Sequence, residues 1–184
     1  MKKEMNSDVP LKKNVIVMIM ILGTFLTALN QTIMSVATPE VMKDLEISAS
    51  TAQWLTTGYL LVNGVLIPIT AFFMKRFSTR QLFMSSMIIF LFGTTISAVA
   101  INFPLLLSGR LIQAIGAGII IPLLYNVVLT LYPPSKRGTV MGMVSLAILF
   151  APAIGPTVAW LCIRPIFMAS HVLQSNTCDH YHYY

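Results

Sequence analysis

Charge is scarce in this sequence. Only 10% of its 184 residues are Asp, Glu, Lys or Arg, against about 25% in a soluble domain. So few charges cannot cover a water-facing surface, and 56% of the residues are hydrophobic; the composition is that of an integral membrane protein. Cysteine is nearly absent: Cys162 and Cys178 stand close to the C-terminus and say nothing of the redox compartment. No run alternates polar and apolar residues as barrel strands do, so the spanning elements must be helices. Also missing from the apolar runs are a phosphate-cradling glycine loop, a metal-spaced cluster and a nucleophile–base pair. Their absence points away from an enzyme, a cofactor or a metal. The tract Cys178-Asp179-His180-Tyr181-His182 superficially resembles a metal site but has no scaffold to hold ligands. The net charge of +6 would suit nucleic acid only if it were gathered on one solvent face.

Instead, the basic residues fall in short clusters between apolar runs of bilayer-crossing length. Five such runs are read, at about 14–38, 52–74, 82–101, 104–131 and 139–160. Residues 1–13 form an N-terminal segment that is basic like a signal peptide. The run after it is too long for one and ends without a cleavage site, so it is kept as the first helix. Lys2, Lys3, Lys12 and Lys13 precede the first span, Lys75, Arg76 and Arg80 follow the second, and Lys136 and Arg137 follow the fourth. Glu40, Lys43, Asp44 and Glu46 occupy the loop after the first, and the loop at 102–104 is uncharged. Nine of the twelve Lys and Arg residues thus lie on one side, which the positive-inside rule makes cytoplasmic, the N-terminus included.

Arg110 is the one charge embedded in a span. An Arg at mid-helix costs about 2.5–3.5 kcal/mol on insertion scales, so it faces a partner or a wet cavity, or else snorkels to the near surface. Gln113 lies one turn on, able to give its carbonyl to the guanidinium and its amide to a ligand. Asn30, beside Gln31 and Thr32 in the first span, is placed either for an interhelical hydrogen bond or for lining a cavity. The basic hairpin of Lys75, Arg76 and Arg80 either pairs with acids or helix C-termini to favour one conformation, or sets topology and meets anionic lipid. Gly58, Gly64, Gly93 and Gly116-Ala117-Gly118 mark faces of close helix packing. Residues 142–160 form an apolar run punctuated by Gly142, Pro152, Gly155 and Pro156.

In order along the chain these motifs resemble the major facilitator superfamily. They are most similar to its fourteen-span drug:proton antiporters of the lincomycin-efflux type of multidrug permease. Leu29-Asn30-Gln31-Thr32-Ile33 through Pro39 sits where the family has its first-span motif, with Asn30 in place of an acid. Residues 71–80 take the place of the loop motif, keeping Arg76 and Arg80 but with Lys75 for the acid and Ser78 for the glycine. Arg110, Gln113, Gly116 and Ala117 fit the fourth-span motif, which the resemblance links to proton coupling. Gly142, Ala151, Pro152, Gly155 and Pro156 fit the fifth-span antiporter motif, with Ala151 replacing a glycine.

The resemblance implies an all-α membrane fold and a multi-pass place in a bacterial plasma membrane. It also implies export of amphipathic cationic or neutral drugs by alternating access, coupled to protons. The chain carries the first five helices of that fold, 14–160, too few to enclose a pathway, and is expected to be inactive alone. A small five-span membrane protein serving as an oligomeric scaffold or partner subunit is the alternative. Residues 161–184 read as an aberrant, disordered tail. A one-base shift at Trp160-Leu161 yields the glycine that the family motif needs, and the same shift at Met168-Ala169 yields a tryptophan, so a frameshift near Ala159 or Trp160 is expected.

Overall fold

A computed structural model describes the backbone of residues 9–178 and the side chains of residues 13–157. Every regular element among them is an α-helix: α1 Val9–Asp44, α2 Ala49–Arg76, α3 Thr79–Ala98, α4 Phe103–Leu131 and α5 Pro134–Cys178. Each holds a window long and apolar enough to cross a membrane. In hydrocarbon no water can take up a backbone N–H or C=O, so an apolar run satisfies its own backbone by coiling.

Small polar residues set three of the helix starts. Ser48 accepts from Thr51 N at 3.2 Å ahead of α2, and Asn102 from Leu105 N at 3.0 Å ahead of α4. Ahead of α3, Gln81 N donates to Ser78 Oγ at 3.3 Å while Ser78 N donates to Gln81 Oε1 at 3.2 Å. That reciprocal pair satisfies two backbone groups that a helix start leaves open. Because α3 stops at Ala98 and Asn102 begins the next helix, the third span is shorter than the run to residue 101 suggests.

Two helices overrun their expected limits. The first does not end at residue 38: α1 continues through Pro39 to Asp44. A proline there loses one hydrogen bond, which is tolerable where the freed carbonyl can be met by another donor. Nor does α5 stop at Trp160, where a disordered tail was expected to begin. The backbone stays helical to Cys178, through a stretch free of glycine although it carries Pro165. Residues 179–184, the rest of that tail, and the tract from Cys178 to His182 lie outside the described side chains.

The short connections run the helices up and down, and α4 takes the centre. It lies against α2 and α3, while α5 lies along α1 and α1 touches α4. Lipid is as apolar as the side chains it surrounds, so close packing rather than exclusion of water must hold these helices. The α3–α4 seam is where packing is closest. A methyl group added at Gly93 would stand 2.5 Å from Gln113 N, one at Gly116 2.5 Å from Ser86 O, and one at Gly109 2.5 Å from Ser97 Oγ. Glycine therefore lets the two backbones touch. Toward one end, Val17, Met20, Leu82, Leu123, Leu124 and Val144 form a buried apolar cluster that joins α1, α3, α4 and α5.

That end is also the basic one. Tyr132 Oη donates to Asn14 Oδ1 at 2.7 Å, and Arg137 Nε donates to the Tyr132 carbonyl at 3.0 Å. These contacts tie the start of α1 to the α4–α5 connection, so Lys13, Lys136 and Arg137 share a face with the turn bearing Lys75, Arg76 and Arg80. A groove of about 450 Å³ opens there between α1, α3 and α4, lined by Ile16, Ile19, Phe83, Met84, Val127 and Arg80 among others.

Candidate functional site

Eight residues into α4, Arg110 is 2% exposed. It does not snorkel. Its Nη1 donates to Gln113 Oε1 at 2.8 Å on the same helix and to Asn30 Oδ1 at 2.9 Å on α1. The first bond follows from the three-residue spacing, which puts both side chains on one face. The second crosses to a residue 80 positions away. On the remaining side the guanidinium carbon lies 4.6 Å from the ring centroid of Tyr59 on α2, a cation–π contact worth about 2 kcal/mol when desolvated.

Gln113, also 2% exposed, passes the network on. Its Nε2 donates to Thr94 Oγ1 at 2.9 Å on α3, and Thr94 in turn donates to the Phe90 carbonyl at 2.8 Å. The amide expected to serve a ligand therefore has a protein acceptor. The α3–α4 glycines bring Thr94 within reach, since Gln113 lies directly across from Gly93. Four helices thus meet around one cation, with α1, α2 and α3 each sending one neutral group toward α4. Two atoms in this region are buried without a hydrogen-bond partner among the described residues, Arg110 Nε and Ser97 Oγ.

Of the residues singled out in the sequence, Arg110, Gln113 and Asn30 converge here. Gln31 is half-buried on the next position of α1, and its side chain joins none of these bonds. Lys75, Arg76 and Arg80 lie elsewhere, exposed at the basic end. Arg76 stands 5.6 Å over the Phe72 ring, and among the described residues no acid pairs with any of the three. Lys75 and Arg76 occupy the last turn of α2, where the helix dipole favours cations.

The fifth-span set divides. Ala151 and Gly155 are buried, and a methyl group at Gly155 would come within 2.5 Å of Thr32 Cγ2 on α1. Gly142, Pro152 and Pro156 are exposed, with open space around Gly142. Tyr59, Thr94 and Gly109 were not singled out in the sequence. For Tyr59 the available signal was a phenol inside an apolar run, four residues before Asn63; for Thr94 nothing set it apart from the Thr95 beside it.

Comparison with known proteins matches residues 20–173 to the Major Facilitator Superfamily. The uncharacterized MFS-type transporter YcnB of Bacillus subtilis (strain 168) is 52% identical over 150 residues, covering 82% of this chain and 32% of the relative. Lincomycin resistance protein LmrB of the same organism is 45% identical over 145 residues, or 79% of this chain and 30% of the relative. Multidrug export protein EmrB of Haemophilus influenzae is 37% identical over 135 residues, or 73% of this chain and 26% of the relative. The chain therefore spans about a third or less of the length of the curated relatives it matches.

Proposed function

The chain belongs to the major facilitator superfamily, and on that premise we propose that it carries the first five helices of a bacterial plasma-membrane drug exporter that works by alternating access. The printed names of two relatives, lincomycin resistance and multidrug export, support drugs as the cargo. The observation that carries the reading is Arg110, held away from lipid by groups from α1, α2 and α4. An ionisable residue kept inside a helix bundle marks a pathway for substrate or ion, and transporter sites lie where helices from different repeats meet.

Proton coupling, which the family resemblance implies, finds no carboxylate in the middle of this bundle. Asn30 stands where the family has an acid, and residues 47–178 contain neither Asp nor Glu. A coupling proton must be carried by another part of the transporter. The five helices expressed by themselves are expected to export nothing, because alternating access needs a second wall. Residues 161–184 remain, in this proposal, a frameshifted continuation; the nucleotide sequence after codon 160 tests that directly.

A chimera tests the function itself. Residues 13–157 replace the matching stretch of LmrB, and lincomycin resistance is measured in cells lacking their own exporter. Resistance is expected to persist and to fall with Arg110→Gln. A chimera that reaches the membrane at normal levels yet protects no cell overturns the proposal. Export of an amphipathic dye by the five helices alone, above the vector control, overturns the claim that they are inactive by themselves.

A further inference from the structure

Both hydrogen bonds that hold Arg110 leave from a single nitrogen, Nη1, one to Asn30 and one to Gln113. Bonds from one corner fix that corner and let the rest of the guanidinium swing about it. What limits the swing is a ring. Tyr59 of α2 is 2% exposed, and the guanidinium carbon lies 4.6 Å from its centroid. The face of an aromatic ring carries negative charge density, so it attracts a cation lying over it, and more strongly away from water.

The seam between α2 and α4 holds that ring in place. Ala114 and Ala117, both buried, pack with Tyr59 in one cluster, with Val62 and Phe90 against it. Residues 110, 114 and 117 follow one another at helical spacing, so one face of α4 offers a large ring first a cation and then two small side chains. Gly58, beside Tyr59, allows the approach: a methyl group there would stand 3.1 Å from Leu111 Cδ2. Further along the seam, a methyl group at Gly118 would stand 2.9 Å from Asn63 Oδ1. Enclosed in close packing, the ring has little freedom of its own. The place of Tyr59 is therefore the place of α2.

We propose that Tyr59 is a positioning residue for Arg110: its ring turns the guanidinium toward Asn30, so that the bond from α4 to α1 forms only while α2 is seated on α4. What Arg110 does in transport, through which Tyr59 acts, rests on the proposed function; the orienting contact does not.

Fluorine separates this role from packing, because each fluorine on an aromatic ring withdraws charge from its face and hardly changes its shape. Hydrogen exchange of the Arg110 guanidinium protons is followed by nitrogen-15 NMR on the purified chain in nanodiscs, the signals being identified by their loss in Arg110→Gln. Tyr59→Leu is expected to speed the exchange about tenfold, and Tyr59→Phe to restore most of the protection. One, two and three fluorines on the Tyr59→Phe ring are expected to speed it step by step, with the backbone spectrum unchanged. Exchange that is the same with no fluorine as with three overturns the proposal, whatever Tyr59→Leu does. The same series in the LmrB chimera is expected to lower lincomycin resistance in the same order. Resistance indifferent to the fluorines, in a chimera that otherwise protects cells, overturns the role of Tyr59 in transport. A parent chimera that protects no cell strikes the proposed function alone, and the exchange series still decides the orienting contact.

Discussion

Where Gly93 faces α4, a methyl group would stand 2.5 Å from the Gln113 nitrogen, closer than any side chain can be accommodated without moving a helix. Gly93→Ala is therefore expected to cost about 1–3 kcal/mol, the usual penalty of overpacking, seen as a lower thermal midpoint in detergent. Gly64 has nothing within 4 Å, so Gly64→Ala in the same assay should be neutral or stabilise by up to about 1 kcal/mol, by helix propensity alone. Thr94→Val removes the acceptor of Gln113 and should cost about 0.6 kcal/mol, the average for hydrogen bonds between membrane helices. Arg110→Lys should cost more than Thr94→Val, because a compact ammonium cannot both reach Asn30 and Gln113 and keep a planar, weakly hydrated cation over the Tyr59 ring. The legible part of this site was its intrahelical part. Arg110 and Gln113 are three apart on one helix, so the spacing alone pairs them. Asn30 was visible as an amide out of place in an apolar run, but its partner was not, since no period in the sequence relates positions 80 residues apart. Tyr59 and Thr94 are ordinary residues in ordinary runs, and only the α2–α4 and α3–α4 contacts give them meaning.

At the scale of the helix, existence was easy to read and ends were not. A run of about 20 apolar residues has one way to cross a bilayer, so all five helices were legible from composition. Their limits depend on single side chains: Asn102 starts α4 and so shortens what precedes it, and Ser78 with Gln81 closes the turn before α3. Ser78→Ala should lose that cap at about 1 kcal/mol, and Ser78→Gly only a few tenths, as compared by chemical unfolding of the purified chain. Ser78 holds this turn by a side-chain bond. Proline and a change of composition read as stops in the sequence, yet the backbone of α1 continues through Pro39 at the loss of one hydrogen bond, and that of α5 continues past Trp160. The α1–α5 pair gives a further check. Gly155→Val would drive its side chain into Thr32, and proteolysis at the α4–α5 connection should quicken as α5 comes away; Gly142→Val, facing open space, should leave the digestion pattern unchanged.

For the whole molecule, helix direction and charge give the same two-sided object. Lys13, Arg76, Arg80 and Arg137 gather at one end, and Glu40, Asp44 and Glu46 at the other. In intact cells with Cys162 and Cys178 replaced, an impermeant thiol reagent should modify Ser48→Cys and Asn102→Cys. Ser78→Cys and Ser135→Cys should react only after permeabilisation; the opposite pattern would invert the topology. Between those ends, within the described spans, Arg110 is the one full charge near the protein's interior. A fixed cation in that place is an electrical component. The resting voltage of a cell, negative inside, acts on it with about 2.3 kcal/mol for each 100 mV the charge traverses. Any rocking of α4 that carried Arg110 through part of this field would be drawn toward the cytoplasm, and would become indifferent to voltage wherever a negative group cancelled the cation. In the exporter proposed above, voltage alone would turn an unloaded carrier toward the cytoplasm.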